Sequence, residues 1–233
     1  MDRCLVVTGM HRSGTSFLAS FLQAAGVEIG TDLFPADYYN PRGYFEDNEF
    51  LELDTSILHS CMPPDASGFR DWGWAENGSL DRSSVADFRG RATDLVARRS
   101  AAAGIWGWKD PRTSLLLDFW DGLVPDVRYV FTYRSPWDVM RSVARLGGTF
   151  FEGRPDRALG PWRLYNRSLL DFYRRHRKRC LLLPIEALSG SPDELLALVK
   201  GKLELPLPDR DGGEILTRVA EPALLSRLEN QPG

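Results

Sequence analysis

Apolar residues occur along the chain in two patterns, short continuous runs and longer stretches with helical spacing. The continuous runs occupy residues 5–7 and 181–185, and residues 127–133 are predicted as a strand because they are rich in β-branched and aromatic residues. A run without polar alternation is typical of a strand that is covered on both faces of its sheet. A further strand is predicted over residues 105–112, and it delivers Lys109 and Asp110 to its carboxyl end.

Apolar residues that recur every three or four positions predict helices. The predicted helices span residues 14–25, 46–59, 84–102, 113–123, 136–146, 157–176, 192–199 and 222–228. The 136–146 helix has a start signal, with Ser135 at the N-cap, Pro136 at the first position and Asp138 at the third. Strands that alternate with helices predict an α/β fold with a mainly parallel β-sheet flanked by helices. Because the sequence has no internal repeat and no linker, we expect a single domain over residues 1–233.

Two connections are long and rich in aromatic residues. Residues 26–43 lead into Tyr44 and Phe45, and residues 61–83 contain Trp72 and Trp74. Long loops inside a compact domain are usually functional. The tryptophans are expected either to cover a bound acceptor or to pack against the domain.

Composition limits the kinds of partner. The chain has 233 residues, 43% hydrophobic and 26% charged, with a net charge of −3, as in ordinary soluble globular proteins. This net negative charge argues against non-specific binding of nucleic acid. No stretch can span a bilayer, and the first strand begins almost at once, which predicts no signal peptide and a cytoplasmic protein. Cys4, Cys61 and Cys180 lack metal-ligand spacing, so we expect reduced thiols.

A glycine-rich turn, residues 9–16, joins the first strand to the first helix, and we call it the glycine loop. Strand, loop and helix in this order place backbone N–H groups and the positive end of the helix dipole at one point, which favours an anion such as phosphate. Gly9 and Gly14 fit the P-loop spacing G-x-x-x-x-G-K-[ST]. Thr15 stands in place of the lysine, and the cation is Arg12 inside the loop. A nucleoside triphosphate needs that lysine and Mg²⁺, so the loop favours a smaller transferred anion handled without metal. The alternative is a tight turn that binds nothing.

Cations lie at the ends of three predicted strands, at Arg12, Lys109 and Arg134. Ligands in an open parallel sheet lie beyond the carboxyl ends of its strands. Three cations at one sheet edge can therefore neutralise a nucleotide with two or three negative charges. Ser142 follows in the helix after Arg134, and an arginine fork with a hydroxyl suits a terminal phosphate monoester.

Two motifs together resemble the sulfotransferase family. Met-His-Arg-Ser-Gly-Thr-Ser, residues 10–16, resembles its 5′-phosphosulfate loop, and Tyr-Arg-Ser-Pro-Trp-Asp-Val-Met-Arg-Ser, residues 133–142, is similar to its 3′-phosphate segment. The resemblance covers most of residues 6–186 and implies a P-loop NTPase-like sulfotransferase fold. It also implies the donor 3′-phosphoadenosine 5′-phosphosulfate (PAPS), the product 3′-phosphoadenosine 5′-phosphate (PAP), and no metal. The residues implied to bind the donor are His11, Arg12, Ser13, Gly14, Thr15, Ser16, Phe17, Arg134 and Ser142.

Two further segments carry the implied catalytic residues. Trp-Lys-Asp-Pro-Arg, residues 108–112, resembles the Lys-Asp-Pro segment of tyrosylprotein and related bacterial sulfotransferases, where the lysine faces the transferred group. Asn-Pro-Arg-Gly-Tyr-Phe-Glu, residues 40–46, resembles a stretch of the bacterial members in which the glutamate is the base. The implied catalytic set is Arg12, Glu46 and Lys109. His59 and His11 are alternative bases, since cytosolic members use a histidine.

These residues predict an enzyme that moves a sulfuryl group from PAPS to a hydroxyl of a small-molecule, lipid or glycoside acceptor. One alternative is a P-loop kinase of a small molecule, which Thr15 and the lack of an obvious magnesium-binding aspartate oppose. Another is a non-catalytic module that binds PAP or a similar nucleotide. The sequence carries no signal for the oligomeric state.

Overall fold

A parallel sheet brings the predicted cationic strand ends to one edge of the molecule. The computed structural model describes residues 3–76, 80–101, 104–146 and 150–220. In chain order its strands are β1 (Arg3–Thr8), β2 (Gly68–Phe69), β3 (Trp74–Ala75), β4 (Ile105–Lys109), β5 (Arg128–Tyr133) and β6 (Cys180–Pro184). A four-stranded parallel sheet has the order β4-β1-β5-β6, and β2 pairs with β3 in a short antiparallel hairpin. The predicted parallel sheet is therefore confirmed, with β1 between the strands that end at Lys109 and Tyr133.

Helices cover both faces of this sheet. In chain order they are α1 (Thr15–Ala25), α2 (Asn48–Ser60), α3 (Arg89–Ser100), α4 (Leu117–Asp121), α5 (Pro136–Val143), α6 (Leu159–Arg175), α7 (Glu186–Gly190), α8 (Pro192–Gly201) and α9 (Gly212–Val219). Successive side chains of a strand point to opposite faces. Leu5 and Val7 of β1 accordingly pack with α1, α8 and α9, whereas Cys4 and Val6 pack with α2, α4 and α6. Both sets are buried, as the continuous apolar run predicts.

Several boundaries differ from the sequence prediction. The 84–102 helix begins with a 3₁₀ turn, Val85–Phe88, before α3. The 113–123 helix is divided into a 3₁₀ turn, Arg112–Leu115, and α4, because Leu116 leaves helical geometry with a φ of −121°. The hairpin of β2 and β3 and the helices α7 and α9 are additional elements. The predicted helix over residues 222–228 lies outside the described residues.

Two other expectations have a direct counterpart in the fold. Ser135 is the N-cap of α5, and its side chain accepts a hydrogen bond from the N–H group of Asp138, as predicted. Cys4, Cys61 and Cys180 are buried and free. Within the ranges that the structure describes, no helix has the length and apolar character needed to cross a bilayer.

Candidate active site

The glycine loop leaves the end of β1 and packs closely against the two strands beyond it. A side chain at Gly9 would place its Cβ 2.2 Å from the carbonyl oxygen of Thr132 in β5. Gly14 has a φ of 82°, and a Cβ there would lie 2.3 Å from Cδ1 of Ile185, which follows β6. Steric space requires glycine at both positions, and the left-handed backbone also favours it at Gly14.

Helix α1 begins at the end of this loop and presents its first N–H groups there. Its N-cap residue, Gly14, makes no side-chain cap, and the first amides of a helix have no acceptor within it. Two loop atoms, His11 Nε2 and Ser13 Oγ, are buried and have no hydrogen-bond partner among the described residues. Since buried polar atoms normally have partners, the unused hydrogen-bonding capacity of His11, which lines the central cavity, fits the predicted anion.

The cation of the glycine loop, Arg12, joins the two sequence motifs. Its φ is 67°, and its Nε donates a hydrogen bond of 2.9 Å to Oγ of Ser142 in α5. Burial lowers the pKa of the Arg12 guanidinium, nearby Tyr44 acts to raise it, and Arg145 and Arg134 lower it. The structure therefore brings together the loop and the segment that follows β5.

Arg134 lies beyond the end of β5, on the Ser142 side of the loop. Its Nε is buried and lacks a hydrogen-bond partner in the described part of the chain. Its carbonyl oxygen accepts a hydrogen bond of 3.0 Å from Nε1 of Trp162, which ties this position to α6. A guanidinium with an unused N–H, on a backbone held by Trp162, is suited to a phosphate oxygen.

Lys109 and Glu46 form an ion pair inside the site. Lys109 ends β4, next to Val7 of β1, and Glu46 immediately precedes Asp47, the N-cap of α2. The ammonium Nζ of Lys109 lies 2.6 Å from Oε1 of Glu46. The two residues are only 1% and 5% exposed. The sequence analysis places both residues in the site but does not predict that they pair.

A second cation, Arg112, contacts the same carboxylate. Its Nη1 lies 3.6 Å from Oε2 of Glu46 and 3.1 Å from Oδ1 of Asp110. Burial acts to lower the pKa of Arg112, but the Asp110 and Glu46 carboxylates raise it above its usual value. Asp110, Arg112, Glu46 and Lys109 thus form a row of alternating charges. The Lys-Asp-Pro-Arg segment contains Arg112, but the sequence gives no sign that it reaches Glu46.

The loop before α2 covers the glycine loop. Asn40 Nδ2 donates to Oγ of Ser16 at 3.2 Å, and Ser16 Oγ donates to the carbonyl oxygen of Tyr44 at 3.1 Å. The Tyr44 hydroxyl donates to the Asp37 carboxylate. Burial and this hydrogen bond raise the pKa of Tyr44 to about 12. The phenol is therefore protonated and serves to hold the loop.

The same loop is attached to the last described helix. Nη1 of Arg42 donates to the carbonyl oxygens of Arg218 and Val219, at 3.2 and 2.5 Å, at the end of α9. These contacts make α9 part of the wall of the site. Nothing in the sequence pattern of residues 211–220 identified this role.

The two alternative bases occupy different places. His11 stacks on Trp72 with ring centroids 4.3 Å apart, and burial, with Arg112, Lys109 and Arg12, holds its pKa well below the usual range. His59 Nε2 forms a hydrogen bond of 2.9 Å with Oδ1 of Asp71, and His59 does not line the central cavity. Trp72 is 7% exposed, so it packs against the domain.

One cavity of about 320 Å³ collects the predicted site residues. It is lined by every one of them except Ser13, a residue of the glycine loop that is fully buried. Phe17 lines the cavity and also packs against the core. Residues to which the sequence analysis gave no individual role also line it, namely Tyr39, Asn40, Arg42, Tyr44, Arg145 and Val219. The described residues contain no group of three or more His, Cys, Asp or Glu side chains placed to hold a metal ion, and the metal-free site stays a prediction.

Comparison with solved structures identifies the fold. The chain is similar to the sulfotransferase domain of the olefin synthase of Synechococcus PCC 7002, with 21% identity, a TM-score of 0.54, and coverage of 100% of this chain and 89% of that one. It is also similar to the sulfotransferase domain from the curacin biosynthetic pathway, with 16% identity, a TM-score of 0.56, and coverage of 93% and 77%. Sulfotransferase STF1 from Mycobacterium tuberculosis H37Rv matches with 20% identity, a TM-score of 0.54, and coverage of 97% and 74%.

Sequence comparison gives the family. A search of curated proteins found no match. The family model described as "Sulfotransferase family" matches residues 5–209. This match includes the glycine loop, the row of charges around Glu46 and the segment from Arg134 to Ser142. The chain therefore belongs to the sulfotransferase family.

Proposed function

We propose that the protein is a PAPS-dependent O-sulfotransferase. The observation that carries the proposal is the contact between Arg12 of the glycine loop and Ser142 of α5, beside Arg134. This contact joins the segment that would hold the 5′-phosphosulfate to the segment that would hold the 3′-phosphate. The unpartnered atoms of His11 and Arg134 supply hydrogen-bonding groups at the two ends.

The charges around the cavity fit an adenosine bisphosphate. Arg12, Lys109, Arg134, Arg145 and Arg42 line it, although the whole chain has a net charge of −3. Arginine forks suit phosphate oxygens, and the first amides of α1 suit the 5′ group. Phe17 at the start of α1 offers an aromatic face for the adenine.

The residues of the site divide the reaction between them. The bond between sulfur and the bridging phosphate oxygen breaks as a bond forms between sulfur and the acceptor oxygen. Arg12 and the loop amides stabilise the negative charge that grows on the leaving phosphate oxygen, and Lys109 neutralises the sulfuryl oxygens. Glu46 takes the acceptor proton. Positioning of the two substrates supplies the rest of the rate enhancement.

The acceptor is a small molecule, lipid or glycoside with a hydroxyl group. Tyr39 and Tyr44 line the same cavity as Glu46, and such rings suit an acceptor with apolar or ring surface. We also propose that residues 1–233 form one domain that works in the cytoplasm, where the free thiols of Cys4, Cys61 and Cys180 would stay reduced.

Turnover with labelled PAPS tests the function. The protein is incubated with isotope-labelled PAPS and a panel of phenols, sterols, glycosides and hydroxy fatty acids, and products are searched by mass spectrometry for one added SO₃ group. We expect transfer that persists in EDTA and does not occur with ATP. Transfer of phosphate from ATP would support the kinase alternative. PAP binding without turnover on the whole panel would support the binding module.

Calorimetric titration tests the 3′ contact separately. PAP should bind about 10- to 100-fold more tightly than adenosine 5′-phosphate, the range for one or two charge-assisted hydrogen bonds. Arg134→Ala should remove most of this difference. Arg141→Ala is the matched control, because Arg141 lies in α5 but is 79% exposed. Equal affinities of the wild-type protein for both nucleotides would contradict the proposal.

A further inference from the structure

We propose that Arg112 is a positioning residue that holds the Glu46 carboxylate in place when Lys109 turns to the transferred group. The inference rests on the function proposed above and adds a residue outside the predicted catalytic set. Arg112 lies in the 3₁₀ turn directly after β4, so it approaches the site from the same strand end as Lys109. The two cations contact different oxygens of the carboxylate, Lys109 at Oε1 and Arg112 at Oε2.

The hydrogen bonds of Lys109 show why a second cation is needed. An ammonium group has three N–H donors. Nζ of Lys109 contacts Glu46 Oε1 at 2.6 Å, the Tyr44 carbonyl at 2.9 Å and Ser16 Oγ at 3.3 Å. A sulfuryl oxygen can therefore be bound only if one of these acceptors is released. Glu46 is the one whose release also serves the chemistry, because Oε1 must be open to take the acceptor proton.

Release by Lys109 would leave Glu46 as a buried charge. Glu46 is 5% exposed, and a buried carboxylate without a countercharge is strongly unfavourable. Arg112, with Nη1 3.6 Å from Oε2, is the cation that remains. Because it binds the oxygen that Lys109 does not, it can stabilise the carboxylate and leave Oε1 open.

Arg112 is also held by Asp110 and Asp71, so its position does not depend on Glu46. Its Nη1 lies 3.1 Å from Oδ1 of Asp110, and its own backbone N–H donates to the same oxygen at 2.7 Å. Its Nε donates to the carbonyl oxygen of Asp71 at 2.9 Å. Its side chain is only 12% exposed. A guanidinium held at two points, on a backbone that is itself hydrogen-bonded to Asp110, has the geometry of a support for Glu46.

A double-mutant cycle tests the inference, with kcat measured for transfer from PAPS to the best acceptor of the panel. Arg112→Gln removes the charge but keeps a hydrogen-bond donor, and in the wild-type background it should lower kcat about 10- to 100-fold. In the Glu46→Gln background the same change should cost less than about 2-fold, because no charged carboxylate is left to position. Arg112→Lys, which keeps the charge, should recover part of the loss. PAP affinity, measured by calorimetry, should stay within about 2-fold of wild type.

Arg99→Gln is the matched control. Arg99 is also a buried arginine, and its Nη1 lies 3.1 Å from Oδ2 of Asp47, the residue after Glu46. It does not line the cavity, so its effect on kcat should be the same in both backgrounds. Equal losses from Arg112→Gln in the two backgrounds, or a parallel fall in PAP affinity, would overturn the inference alone. A wild-type protein that binds no PAP or transfers no sulfuryl group would overturn the proposed function, and the inference with it.

Discussion

Replacing Lys109 by methionine should destabilise the protein, because it removes one of the two cations beside a buried carboxylate. At an effective dielectric constant of about 20, attraction across 2.6 Å from Lys109 to Glu46 is about 6 kcal/mol, and across 3.6 Å from Arg112 it is about 5 kcal/mol. Removing Lys109 also removes its own desolvation cost, and Arg112 remains. The net loss should therefore fall at the low end of the range for a broken buried pair, about 3 kcal/mol. For a chain of this size that corresponds to a melting temperature lower by about 6–12 °C.

Thermal and urea unfolding of the ligand-free protein at pH 7 measure this effect. The double variant Lys109→Met with Glu46→Gln should recover much of the loss, since replacing both charges removes the uncompensated carboxylate. Arg98→Met is the control, because its ion pair with Glu49 is about half exposed and should contribute little. A melting temperature for Lys109→Met within about 2 °C of wild type would refute the reasoning. A double variant less stable than Lys109→Met would refute it as well.

Three further predictions concern the loop and the base. Arg12→Ala should lower kcat by on the order of 10²–10³, the effect of losing one preorganised stabiliser, and near-normal turnover would remove Arg12 from the mechanism. Glu46→Gln should lower kcat by roughly 10²–10⁴, the range for the loss of a general base. If Glu46→Gln is active and His59→Ala is inactive, the general base is His59 and not Glu46. Burial and nearby cations hold the pKa of His11 well below its usual range. As the pH falls below about 6.5, the unfolded chain binds a proton that folded His11 does not, so the folded state loses stability. Urea midpoints at pH 7 and 5 should therefore fall less for His11→Gln than for wild type, and equal falls would contradict the assignment.

The spacing of apolar and capping residues in the sequence predicted those elements whose structure depends on residues close together in the chain. Short segments rich in apolar residues predicted the four strands of the parallel sheet, and Ser135 with Pro136 predicted the start of α5. Prediction failed where tertiary contacts decide the backbone. The break at Leu116 lies between Thr113 and Trp120, whose side chains both donate to the buried carboxylate of Asp54. Helix α9 is short, and it is buried mainly through contact with α1.

The candidate site shows the same division between local and long-range information. Family motifs predict Arg12, Lys109 and Glu46 as site residues, and all three line the central cavity. The pairing of Lys109 with Glu46 and the reach of Arg112 depend on how separate segments meet in space. Such contacts between distant residues leave no periodic signal in a single sequence.

The hydrogen bonds from Arg42 to the end of α9 link the central cavity to a part of the chain that carries no signature sequence. Arg42 and Arg218 are 176 positions apart, yet a shift of the helix would displace the loop that closes the cavity. Exchanging residues 211–220 for those of a relative would therefore alter the shape of the cavity while every recognisable motif stayed intact. If the cavity binds PAP as we propose, members of the family with identical motifs can in this way differ in how slowly they release it.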